Sequence, residues 1–185
     1  MNNKCVFVIG PESSGSKLVA RICSHVLQIQ DFDDWNGTAW SDRGEHKVCH
    51  RSLPYNLPPK FPDIEEWIST HHESYDLCFI LTTRDITLSE LSRIERFSKS
   101  KPQVEAESAK AREIMLDVLR KPYPVLIWSY ETFMFLGLAY LKQLYQFLGV
   151  QSDFCPPIID GNRKRLEHPI KPQWLSWIQP SHRRG

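Results

Sequence analysis

Four short runs along the chain are apolar and rich in β-branched or aromatic residues, at 5–9, 47–50, 77–82 and 125–130. Unbroken apolar character over so few residues predicts buried strands covered on both faces, as in a parallel sheet. Between them the apolar positions change to a helical period. Leu18, Val19, Ile22, Cys23, Val26 and Leu27 share one face of a helix starting near Gly15. Phe61, Ile64, Trp67 and Ile68 mark a second, with Pro62 suited to its first turn. A third helix is expected after Arg84, and a long charged one over about 104–120. Leu138, Leu141, Leu144, Tyr145 and Leu148 mark the last, ending at Gly149. Alternating strands and helices predict an α/β domain of three layers, a central parallel sheet flanked by helices. The polar stretch 31–45 reads as a loop, and the four prolines between Leu53 and Pro62 require an extended or turning path.

The 185 residues fit one domain over 1–185, with about 151–185 as a tail wrapping it. Lys and Arg total 23 against 22 Asp and Glu, which gives no global case for nucleic acid or a membrane surface. The longest apolar run, 133–141, is too short to span a bilayer, and the amino terminus enters a strand without a signal-peptide core. Cys5, Cys23, Cys49, Cys78 and Cys155 are odd in number and form no CxxC pair, which suits a reduced, cytoplasmic protein. No His, Cys and Asp grouping has metal-ligand spacing, so no metal is expected.

The densest chemistry lies in VFVIGPESSGSKLVARI, residues 6–22, where a strand runs through a glycine-bounded turn into a helix. Such a junction aims backbone N–H groups and a positive helix end at one point, suited to phosphate or sulfate. Ser13, Ser14, Gly15, Ser16 and Lys17 are the candidate anion contacts. The run misses the Walker A pattern by one residue: Ser16 separates Gly15 from Lys17, and Leu18 stands where a magnesium-binding hydroxyl would fall. Further on, LCFILTTR delivers Arg84 at the carboxyl end of a strand, where ligands bind in open α/β sheets, and Ser92 follows on the next helix. PVLIWSYETF places Tyr130 and Glu131 at another strand end, followed by a helix closing in Phe-Leu-Gly.

In this order the three segments resemble the sulfotransferases that use 3′-phosphoadenosine 5′-phosphosulfate (PAPS), with similarity from Val6 to about Val150. The resemblance implies a P-loop-NTPase-like fold. It also implies transfer of a sulfuryl group from PAPS to a sugar, alcohol or amine, leaving adenosine 3′,5′-bisphosphate. In that family the serine-glycine loop holds the 5′-phosphosulfate, the Arg and Ser matching Arg84 and Ser92 grip the 3′-phosphate, and the Tyr matching Tyr130 lies near adenine. The loop here carries Ser13 where the family has Lys or Arg, with its cation instead at Lys17. A family strand ending in Thr-His-Leu-Pro resembles CHRSLP, which makes His50 the candidate base beside Lys17 as a catalytic cation. Glu12 and Glu45 are rival bases, and His71 and His72 read as solvent-facing. A carboxy-terminal Arg-Lys-Gly of the family is matched in part by Arg163 and Lys164, with Arg165 in place of the Gly. Competing readings are a P-loop kinase or NTPase, and a nucleotide-binding protein that kept the fold and lost catalysis.

Overall fold

The computed structural model describes residues 3–29, 38–40 and 45–163. Among them five strands form one sheet in the order β2-β3-β1-β4-β5. The central strand β1 (Lys4–Pro11) is buried on both sides along Cys5 to Ile9, as its unbroken apolar run requires. It pairs in parallel with β3 (His46–Leu53) and β4 (Asp76–Thr83), and β4 pairs in parallel with β5 (Val125–Ser129). All four parallel strands therefore present their carboxyl ends at the same edge.

The expected loop over 31–45 contains a further strand, β2 (Thr38–Trp40), antiparallel to β3. Three residues are too few to show an alternating pattern, so pairing with the β3 edge decides its conformation. Strand β3 also outruns its expected end at His50, because Arg51 and Leu53 find ladder partners at Ile9 and Pro11 of β1. Strand β5 is shorter than expected: Ser129 caps a helix by accepting the Thr132 N–H at 3.2 Å, and Tyr130 opens α5 (Tyr130–Leu136).

One face of the sheet is covered by α1 (Ser16–Val26), α5 and α6 (Leu138–Leu148), whose Val19, Ile22, Phe133, Leu141 and Leu144 pack on Val6, Val8 and Ile80. The other carries α2 (Ile64–His71) and α4 (Lys101–Leu119), which cover Phe7, Ile9 and Phe79. Helix α3 (Ile86–Phe97) follows β4 and packs on α4. This is the three-layer α/β arrangement. Pro62 lies outside α2, not in its first turn, since the Asp63 carboxylate caps that helix through the Glu66 N–H at 3.0 Å. Helix α6 ends at Gly149 in the left-handed conformation, φ 71°. Beyond it the chain returns along α1, where Phe154 meets the His25 ring at 3.9 Å, and reaches the carboxyl edge of the sheet at Asp160–Asn162. No helix among the described residues is long and apolar enough to cross a membrane.

Candidate functional site

At the carboxyl edge, β1 ends in a turn over Glu12 to Gly15. Ser13 and Gly15 both have positive φ, 67° and 87°, which folds the backbone back into α1. Gly15 is required here twice over: besides its φ, a Cβ would stand 2.9 Å from Cδ2 of Tyr130. At Gly10 a Cβ would fall 2.0 Å from Thr82 Oγ1 and 2.6 Å from the Thr82 carbonyl. The turn is thus pressed against β4 on one side and against the Tyr130 ring on the other.

Around this turn opens a cleft of about 330 Å³, within the range of small-molecule sites. Ser13, Gly15, Ser16 and Lys17 line it from the turn and the start of α1, His50 and Ser52 from β3, Arg84 from the end of β4, and Ser92 and Arg96 from α3. Tyr130 closes it from α5. His50 Nε2 stands 3.0 Å from Ser16 Oγ, which places an imidazole beside the amino end of α1. Ser13 Oγ is buried without a hydrogen-bond partner. A buried hydroxyl in that state costs free energy that a ligand oxygen would recover.

Arg84 is held in place before any ligand arrives. Its Nη1 donates to the Ser13 carbonyl at 2.7 Å, its Nε donates to Asn162 Oδ1 at 2.8 Å, and the guanidinium lies 4.8 Å from the centre of the Tyr130 ring. The Tyr130 hydroxyl accepts the Gly161 N–H at 2.7 Å. Burial raises the Tyr130 pKa above its ordinary value, against the opposing pull of the Gly161 N–H and the Arg84 charge. The phenol is therefore a neutral platform, not an acid–base group at physiological pH.

Nine of the expected residues line the cleft: Glu12, Ser13, Gly15, Ser16, Lys17, His50, Arg84, Ser92 and Tyr130. Ser14 departs from expectation. Its hydroxyl bonds Thr82 Oγ1 at 2.6 Å and its N–H bonds the Pro11 carbonyl at 3.0 Å, so it shapes the turn instead of facing the cleft. Glu12 is drawn into a cluster with Lys99, 2.5 Å away, and Arg93, 3.5 Å away, both of which also contact Glu107. Its carboxylate is an ion-pair partner under the loop. Glu45 precedes β3 at its amino end, five residues from His50 and so roughly 16 Å away along an extended strand. It is removed from the site. Arg163 is exposed and does not line the cleft, and Lys164, Arg165 and the remainder of the expected tail lie outside the described residues.

Arg96 and Ser52 line the cleft without having been singled out by motif. Arg96 was legible, since it follows Ser92 by four positions and hence shares its helix face. Asn162 carried no signal, as only the tertiary return of the chain brings it to Arg84. On the opposite face of the sheet, His71 is buried, not solvent-facing, and its ring lies beside Cys5 and Cys49. No family model matches the chain, and no curated protein matches it.

Proposed function

We propose that the protein is a PAPS-dependent sulfotransferase acting on a hydroxyl or amine acceptor. The observation that carries this reading is one cleft in which His50 touches Ser16 and which Arg84, Ser92 and Arg96 also line. A donor with a 5′-phosphosulfate and a separate 3′-phosphate needs two anion sites joined by a flat contact for a base. The start of α1 with Ser13, Ser16 and Lys17 would supply the first, Arg84, Ser92 and Arg96 the second, and the Tyr130 ring, which also lines the cleft, a flat surface.

PAPS, when bound, supplies the sulfuryl group and a bisphosphate leaving group. The chain's own part is to position and to move a proton. His50 Nε2 would accept the acceptor's proton as the new bond to sulfur forms, and the α1 N–H groups, Ser16 Oγ and Lys17 would offset negative charge left on the departing phosphate. Arg84 gives a planar fork for one phosphate. A kinase or NTPase reading is less well supported. Asp85, the acid after β4, is spent capping α3 through the Leu88 N–H at 2.9 Å, and position 18 offers no hydroxyl for magnesium.

A second reading, a nucleotide binder without turnover, draws on the way Asn162 and Ser13 already occupy Arg84. Two measurements separate these. Calorimetry should show adenosine 3′,5′-bisphosphate binding more tightly than ATP with magnesium, and preference for ATP would sink the sulfotransferase reading. Incubation with ³⁵S-labelled PAPS and pools of sugars, phenols, amines and peptides should yield a labelled product. Binding without any labelled product would favour the second reading. A compartment holding reduced thiols and PAPS, such as the cytoplasm, fits the five cysteines, which form no disulfide.

A further inference from the structure

Beneath the other face of the sheet, Cys5 of β1, Cys49 of β3 and His71 at the end of α2 bring their ligand atoms within 4.8 Å of one another. All three are buried. Their sequence separations gave no hint of this, because two adjacent parallel strands and the helix packed on them create the grouping. The imidazole is fixed in a particular state. Nδ1 faces the Trp67 carbonyl at 2.7 Å and must carry the proton, while Nε2 lies 2.8 Å from the Lys47 ammonium and must present its lone pair. An imidazole whose Nδ1–H is tied to a backbone carbonyl carries its lone pair on Nε2, the tautomer in which histidine binds metals, and here the Lys47 ammonium holds that lone pair until an ion displaces it. Stacking of the ring on Trp67, with centroids 5.1 Å apart, restrains its orientation.

We infer that Cys5, Cys49 and His71 form a binding site for a soft monovalent cation, Cu(I). Two thiolates and one imidazole suit a thiophilic d¹⁰ ion. Trigonal ligands at bond lengths of about 2.3 Å stand roughly 4 Å apart, so the three atoms need to close by less than about 1 Å. Charge selects between the candidates. Cu(I) with two thiolates carries one negative charge, which the neighbouring Lys47 ammonium cancels. Zn(II) would leave a buried site with a net positive charge and three protein ligands among the described residues, where it prefers four. Binding replaces two thiol protons, which pass to solvent, and Lys47 yields Nε2 to the ion; no electron moves. The ion would tie β1, β3 and α2 together directly below the strand that carries His50. This inference does not depend on the sulfotransferase reading.

The test uses the whole chain, reduced and anaerobic, titrated with Cu(I) against a bathocuproine chelator and separately with Zn(II) against a chromophoric chelator. Expected are one Cu(I) per chain, a thiolate-to-copper absorption band in the near ultraviolet, and a higher melting temperature. All three should persist in Cys155→Ser. Loss even of an outer-shell partner costs 10–100-fold in affinity, so Cys49→Ser and His71→Phe should each weaken copper binding by about 100-fold or more. His71→Phe keeps a ring against Trp67, and therefore carries the test should Cys49→Ser fail to fold. Absence of stoichiometric uptake, uptake indifferent to His71→Phe, or zinc bound more tightly than copper would overturn the assignment.

Discussion

Ser16 Oγ and His50 Nε2 lie 3.0 Å apart, joining the first residue of α1 to β3 three residues short of its carboxyl end. The contact sets an imidazole at the positive end of a helix, facing a cleft whose cations are Lys17, Arg84 and Arg96. On the proposed mechanism, His50→Ala should lower turnover by about 10²–10⁴-fold, the usual worth of general base catalysis, while leaving adenosine 3′,5′-bisphosphate affinity nearly unchanged. Ser16→Ala should instead weaken that affinity by about tenfold or more, since it removes a hydrogen bond to a charged group. Equal losses of turnover and binding in His50→Ala would show it to be a binding residue.

Arg84 should be what distinguishes a 3′-phosphate. In the unaltered protein, adenosine 3′,5′-bisphosphate should bind more tightly than adenosine 5′-monophosphate. In Arg84→Ala the two should converge, with a loss of about 2–3 kcal/mol confined to the bisphosphate. Arg84→Lys should recover only part, because a point charge cannot reproduce the fork. Paired calorimetry on the two nucleotides measures this directly.

Gly15→Ala should damage both stability and binding. The left-handed φ of 87° costs a side-chain-bearing residue about 1–2 kcal/mol, and the added Cβ meets the Tyr130 ring at 2.9 Å. Removing that ring in Gly15→Ala/Tyr130→Ala should relieve the contact but not the backbone cost. A double-mutant cycle on urea unfolding would then show coupling between the two positions. Strict additivity would mean that the turn moves without pressing on Tyr130.

The ion cluster under the loop gives a stability prediction with a pH sign. Arg93 is fully buried and contacts Glu107 and Glu12, and Lys99 bridges both acids. Glu107→Gln should cost about 3–5 kcal/mol, because it leaves buried cations short of a partner. Burial pushes the Glu107 pKa up, but hydrogen bonds from Lys99 and Gln103 and the charges of Lys99 and Arg93 outweigh it and hold the carboxyl below its ordinary value. A depressed folded pKa contributes stability that is complete above the unfolded pKa and fades as pH falls through the folded one. The stability difference between the unaltered protein and Glu107→Gln should accordingly shrink on acidification below about pH 4.5. Urea midpoints measured from pH 7 to pH 3 would check it.

The architecture was largely legible because apolar runs and helical periods record burial directly. Strands β1 and β4 and helices α1 and α6 follow their sequence patterns closely. What escaped depends on neighbours. Thr38–Trp40 is a strand because β3 offers it an edge, and Arg51 to Leu53 extend β3 because β1 continues alongside. In the cleft, Ser13 and Gly15 to Lys17 were visible in one local motif, and His50, Arg84, Ser92 and Tyr130 in patterns at or just after strand ends. The side-chain partners that packing sets were not: Ser14 turned inward to Thr82, Glu12 was taken by Lys99, and Asn162 arrived from the far end of the described chain. The spacing of Cys5, Cys49 and His71 was equally silent, since their proximity is a property of the sheet register.

Strand β1 precedes the other described strands along the chain yet lies in the middle of the sheet, and the cleft at its end is finished by Tyr130 and Asn162. During synthesis, then, a nascent chain that has emerged only as far as α4 already contains the turn over Glu12 to Gly15, His50 and Arg84. It still lacks the ring beside Gly15 and the amide that orients the guanidinium, and the outer edge of β4 waits without its β5 partner. On the proposed function, ligand binding should therefore appear late and abruptly as the chain lengthens, making nucleotide capture a report on translation through Asn162.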